Sequence, residues 1–185
     1  MGQYRAKDLL LVPSVLSLAR IPLALAFVLA LNHPGIELAI LIAAGVTDVV
    51  DGWYARRFGQ VTATGAVLDP ITDKAFVLTV VVALVLTSRL SVGSVMLLAT
   101  REIGELPLVL WWALSHQRRR ARMQAPMANI PGKLATCLQF MTVALALFRS
   151  PHTNELVLIS AGAGAVAALA YWWRDLAAAK AANSA

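Results

Sequence analysis

Asp48-Val-Val-Asp51-Gly52-Trp-Tyr-Ala55-Arg56, then eight residues, then Gly65-Ala-Val-Leu-Asp69-Pro-Ile-Thr-Asp73, sets four carboxylates at the ends of two otherwise strongly apolar segments. An acid at the centre of a bilayer-spanning helix costs about 2.5–3.5 kcal/mol on insertion scales, so four together mark a functional site with a cationic partner. On a helix Asp48, Asp51, Gly52 and Ala55 fall at i, i+3, i+4 and i+7, which places two acids and two small residues on one stripe. Asp69 and Asp73 lie one turn apart on the next helix. The polar loop between is short, so the two helices are expected to be antiparallel neighbours with converging acidic stripes. Hard carboxylate oxygens without His or Cys suit Mg²⁺, Mn²⁺ or Ca²⁺ rather than zinc. Four of them fit two ions about 3.5–4 Å apart, an arrangement that clamps a phosphate during displacement. Gly52, Ala55 and Gly65 remove side chains beside the acids, either to admit a bulky ligand such as a nucleotide or to let helices pack closely.

Working outward, 59% of the 185 residues are hydrophobic and only 14% are charged, which excludes a water-soluble domain of ordinary kind. Leu- and Ala-rich runs without period-2 alternation exclude a barrel and leave an all-α, polytopic membrane protein. Six transmembrane helices are expected, at about residues 9–31, 36–53, 67–87, 92–114, 134–148 and 156–173. Their short connections predict one six-helix domain over residues 1–185. The first segment is too long for a cleavable signal and holds Pro13, Arg20 and Pro22. The Ala-rich stretch after Arg174 is expected to be a frayed helix or a disordered cytoplasmic tail.

Six crossings put Arg5, Lys7, Arg56, Arg57, the Arg118 to Arg122 run, Lys133, Arg174 and Lys180 on one side and only Arg89 and Arg149 on the other. The positive-inside rule makes the first side, with the acids, cytoplasmic, as in a bacterial inner membrane. The net charge of +6 then faces anionic headgroups and needs no nucleic acid. Cys137 is the only cysteine, which excludes an intrachain disulfide and leaves a small core residue.

The pattern D-x2-D-G-x2-A-R-x8-G-x3-D-x3-D is complete in Asp48, Asp51, Gly52, Ala55, Arg56, Gly65, Asp69 and Asp73. The chain therefore resembles the CDP-alcohol phosphotransferases. That resemblance implies a six-helix membrane enzyme, a homodimer, in which an alcohol attacks the β-phosphorus of a CDP-linked lipid and CMP leaves. It further implies that Asp48, Asp51, Asp69 and Asp73 hold two Mg²⁺ or Mn²⁺ ions, with Asp73 also taking the acceptor's proton. Gly52, Ala55 and Gly65 would border the cytidine, and Arg56 would hold the nucleotide or its phosphates.

Outside the central pattern the chain is most similar to phosphatidylglycerophosphate synthases, which join CDP-diacylglycerol to glycerol 3-phosphate. Pro13 to Arg20 resembles their P-N-x-L-T-x-x-R, with Ser14 and Ser17 in place of Asn and Thr. Arg101-Glu102 resembles their R-E pair, and Gly132, Lys133, Thr136 and Gln139 resemble their G-K-x-K-T-x-x-Q, with Ala135 in place of the second Lys. Glycerol 3-phosphate is a dianion, so Arg101 and Lys133 are its expected partners. Arg101 could instead be neutralised by Glu102 or Glu105, and Lys133 could serve topology. The loss at Ala135 keeps open a cardiolipin synthase with phosphatidylglycerol as acceptor, while an inositol phosphate acceptor would want a further basic cluster. A transporter is the reading of another class, but no second acidic half-site mirrors the first.

Overall fold

The structure, a computed structural model, describes residues 11–58, 63–114 and 130–183. Arg5, Lys7 and the Arg118 to Arg122 run, on which part of the charge asymmetry depends, lie outside the described residues. The fold is all-helical, with no strand among the described residues. Two compact units divide the chain. The first, Met1–Arg89, holds α1 (Val12–Leu18), α2 (Arg20–Leu29), α3 (Pro34–Arg57) and α4 (Ala63–Leu86). The second, Leu90–Ala185, holds α5 (Val92–Leu98), α6 (Thr100–Leu114), α7 (Ile130–Leu147) and α8 (Thr153–Asn183).

Two of the expected segments are each two helices. The first breaks at Ala19, where Pro22 has no N–H to offer the Leu18 carbonyl. The fourth breaks at Ala99, and the carbonyls exposed there are taken by side chains: Thr100 Oγ1 donates to Leu97 O at 2.6 Å and Gln139 Nε2 to Leu98 O at 2.7 Å. At the C-terminus α8 continues through Asn183, as the Ala-rich sequence favours. Pro34 starts α3 at its first turn, where a missing N–H costs nothing, and the helix then carries both Asp48 and Asp51.

In the first unit α1 and α2 each pack against both α3 and α4, while direct contact between α3 and α4 is slight. The expected direct pairing of the two acid-bearing helices is thus replaced by one through α1 and α2. Phe27 and Leu84 are fully buried in this packing. Where α3 begins and α4 ends, a buried ion pair joins Arg89 Nη1 to Glu37 Oε2, and the Asn32 N–H donates to Glu37 Oε1 at 2.8 Å. Asn32 and Ser88 stop the preceding helices with φ of 74° and 54°, and the Arg89 N–H then reaches back to Leu84 O at 2.9 Å.

In the second unit α5, α6 and α7 all pack on α8. Small residues set the approach of α6: a Cβ on Gly104 would stand 2.9 Å from the Ala168 Cβ, and one on Gly164 would stand 3.2 Å from the Arg101 nitrogen. Trp172 Nε1 donates to Gly104 O at 2.9 Å across the same crossing. Thr142 and Ser160 join their hydroxyls at 2.8 Å inside the α7–α8 contact.

Polarity is distributed as a bilayer demands. Leu29, Leu86, Ile130 and Trp173 are exposed, whereas Arg20, Glu37, Asp51, Thr142 and Ser160 are buried. Ile130–Leu147 and Thr153–Ala177 are long and apolar enough to cross, while the apolar Ser14–Leu29 is shorter. At 24 residues each, α3 and α4 span about 36 Å at ~1.5 Å per residue, but they carry the acids.

Candidate metal and nucleotide site

Helical periodicity puts Asp48 and Asp51 on one face of α3, and α4 brings Asp69 to them. Each of the three offers an oxygen within 4.8 Å of the others. Arg20, the first residue of α2, lies among them with a side chain only 1% exposed. Its Nη2 donates to Asp48 Oδ1 and Asp51 Oδ2, both at 2.8 Å, and its Nη1 to Asp69 Oδ1 at 2.9 Å. Ser17 Oγ, one turn earlier, lies 3.3 Å from both Asp51 Oδ2 and Asp69 Oδ1. Asp51 is the buried acid, with the Asp48 and Asp69 side chains 54% and 44% exposed.

Three carboxylates against one guanidinium leave the group net anionic. Oxygen donors alone, close enough to share one ion and carrying surplus negative charge, fit a hard divalent cation. Asp73, on the same helix as Asp69, is exposed, stands outside the three-acid group, and makes no hydrogen bond or ion pair among the described residues. Gly52 is half-buried one residue from Asp51, and Gly65 is half-buried in the first turn of α4. The backbones of Ala55 and Arg56 belong to α3, but their side chains lie outside the described residues.

The other expected site residues belong to the second unit. Arg101 donates through Nε to Glu105 Oε1 at 3.0 Å and through Nη1 to Thr136 Oγ1 at 2.7 Å and Gly132 O at 3.3 Å. Glu102, which the sequence left without a role, accepts from Gln139 Nε2 at 3.2 Å. These bonds tie α6 to α7. Lys133 is exposed in the first turn of α7, and Ala135 is fully buried.

Arg20 and Ser17 are the residues that sequence reasoning did not place in the site. A signal existed: an arginine inside an apolar segment needs a partner, the same rule that singled out Arg101.

A family model described as CDP-alcohol phosphatidyltransferase matches residues 10–174, a span that contains the whole acidic cluster and Arg20. The chain belongs to the CDP-alcohol phosphatidyltransferase family. The family is membrane-embedded, and its reactions in general depend on a divalent metal. Membership makes the protein a transferase of phospholipid biosynthesis. Among its relatives, a Streptomyces coelicolor protein named cardiolipin synthase (CMP-forming) is 31% identical over 186 residues, covering 89% of this chain and 79% of its own. A Pectobacterium atrosepticum protein named CDP-diacylglycerol–glycerol-3-phosphate 3-phosphatidyltransferase is 33% identical over 161 residues, covering 81% and 84%. A Haemophilus influenzae protein of the same name is 30% identical over 156 residues, covering 80% and 81%.

Proposed function

We propose that the protein transfers the phosphatidyl group of CDP-diacylglycerol to glycerol 3-phosphate, forming phosphatidylglycerophosphate and releasing CMP. The observation that carries this is the convergence of Asp48, Asp51 and Asp69, at the spacing of the family pattern, within 4.8 Å of one another. The names of the Pectobacterium and Haemophilus relatives support the acceptor.

Asp48, Asp51, Asp69 and Asp73 would hold two Mg²⁺ or Mn²⁺ ions, whose chemistry is to neutralise the diphosphate and stabilise CMP as leaving group. In the transfer the acceptor oxygen bonds to the lipid-side phosphorus, the bond from that phosphorus to the CMP oxygen breaks, and the hydroxyl proton passes to Asp73. That Arg20 holds the other three acids and not Asp73 supports the different role. Gly52, Ala55 and Gly65 leave room for the cytidine, and Arg56 holds the nucleotide. Arg101 and Lys133 are assigned to the acceptor's phosphate; the Arg101 bonds to Glu105, Gly132 and Thr136 use Nε and Nη1 and leave Nη2. A single membrane domain with six spans, a cytoplasmic-facing site in a bacterial inner membrane, and a homodimer complete the reading.

One observation favours a second reading. Ala135, fully buried, occupies the place of a second lysine, and the Streptomyces relative is named a cardiolipin synthase. The test is purified protein with labelled CDP-diacylglycerol, Mg²⁺ or Mn²⁺, and each acceptor in turn, with lipid products read by mass spectrometry. Phosphatidylglycerophosphate from glycerol 3-phosphate is expected; cardiolipin from phosphatidylglycerol, with glycerol 3-phosphate ignored, would establish the second reading. Under the first, Arg101→Ala or Lys133→Ala should raise the KM for glycerol 3-phosphate at least about tenfold, the ~1.4 kcal/mol of one charge-assisted contact, with CDP-lipid affinity nearly unchanged.

A further inference from the structure

We propose that Arg20 is a built-in counter-cation of the acidic cluster, which divalent metal must displace, so that metal affinity is set by competition with the guanidinium. The three acids close enough to share an ion are the same three that Arg20 bonds. The site therefore has two cationic occupants for one set of carboxylates, one of them covalently attached to α2. Carboxylates bind a divalent ion directly, at about 2.0–2.6 Å for Mg²⁺ or Ca²⁺, and a guanidinium already hydrogen-bonded to those groups both obstructs and repels it.

Arg20 is held by the acids and little else. Its side chain is 1% exposed, its two terminal nitrogens make all three carboxylate bonds, and its Nε is buried without a hydrogen-bond partner. Solvation would not place it there, because one donor is lost in doing so. The same geometry joins the helices that carry the acids. Asp48 and Asp51 come from α3 and Asp69 from α4, two helices with slight direct contact, and Arg20 bridges them from α2. Without it three like charges would face one another, the one on Asp51 in a buried position. A ligand that binds only the open fraction of a site has its apparent affinity lowered by that fraction. Arg20 thus stabilises the metal-free protein and weakens its metal binding, two effects of opposite sign on one side chain.

This rests on the metal site proposed above, and the experiment separates the two. Mn²⁺ binding is titrated by the electron paramagnetic resonance signal of the free ion, on wild type, Arg20→Gln, Arg20→Lys and Asp69→Asn in nanodiscs. Thermal unfolding is followed with chelator and with Mn²⁺. Arg20→Gln should bind Mn²⁺ at least about tenfold more tightly than wild type, melt lower in chelator, and regain more on Mn²⁺ addition. Arg20→Lys keeps the charge but loses the two-armed fork, so it should fall between. If Arg20→Gln does not fold without metal, the Lys variant decides, with tighter binding than wild type expected. Folded variants that bind Mn²⁺ no more tightly than wild type would overturn the role of Arg20 while leaving the metal site intact. Wild type with no Mn²⁺ site that Asp69→Asn removes would overturn both.

Discussion

Breaking the Glu37–Arg89 pair should unfold the first unit from the end opposite its acids. Glu37 is 0% exposed and the Arg89 side chain 3%, and Arg89 Nε is buried without a hydrogen-bond partner, so neither charge has water to fall back on. Glu37→Gln keeps an oxygen to accept the Asn32 N–H, and therefore isolates the charge. Leaving one member of a buried pair alone costs about 3–5 kcal/mol, whereas neutralising both partners costs far less, since the desolvation of two ions is removed together with their attraction. Glu37→Gln and Arg89→Gln should each shift the equilibrium toward the unfolded state by about two to three and a half decades, at ~1.4 kcal/mol per decade, and the double variant should recover at least about 2 kcal/mol of the summed loss. Reversible unfolding in mixed micelles, followed by circular dichroism, gives the four free energies of the cycle. Glu37 is separated from Asp48 by about 16 Å of helix at ~1.5 Å per residue, so the folded double variant should keep its Mn²⁺ affinity. Single variants that each lose under about 1 kcal/mol, with additive effects in the double, would refute the claim that this pair ties the helices.

Gly104→Ala places a methyl 2.9 Å from the Ala168 Cβ, between two backbones that cannot yield independently, and should cost about 1–3 kcal/mol in thermal stability; an unchanged melting point would mean that α6 and α8 are free to part. Asp48→Asn, Asp51→Asn and Asp69→Asn should weaken Mn²⁺ and CDP-lipid binding, while Asp73→Asn should depress kcat far more than either affinity; equal loss of binding in all four would make Asp73 one more metal ligand. In a Cys137→Ser background, an impermeant thiol reagent should label a cysteine introduced at His152 from outside intact cells and miss ones at Gln60 or Gln117. The reverse pattern would place the acids on the outer face.

The acids were legible because their relation is local. Spacings of three and four residues put Asp48 beside Asp51 on any helix, and the same periodicity governs Asp69 and Asp73. Arg20 was not legible in this way, because its bonds span separations of 28, 31 and 49 residues that no helical spacing encodes. Arg89 entered the sequence reading only as a rare positive charge on the outer side, and Glu37 did not enter at all. The packing order was hidden for another reason: in a bilayer the lipid-facing and protein-facing sides of a helix are both apolar. Periodicity therefore cannot say that α3 meets α4 mainly through α1 and α2. The break at Ala19 was readable from Pro22, but a long apolar run outweighed it.

Apolar burial drives helices together only weakly when lipid is as apolar as leucine, so the polar ties inside each unit carry much of the specificity. In the second unit the Arg101–Thr136 and Gln139–Glu102 bonds join α6 to α7, and the Gln139 bond to Leu98 O fixes the end of α5. Among the described residues of the first unit the ion-pair ties are Glu37–Arg89 at one end of α3 and α4 and Arg20 with its three acids toward the other. They differ in exposure, and the difference matters for function. Glu37 and Arg89 are both buried, so nothing from solution can replace either partner. Asp48 and Asp69 remain partly open, so a cation from solution can reach carboxylates that Arg20 holds. A permanent tie at one end with an exchangeable one at the other lets the acids give up the guanidinium without the helices losing their register.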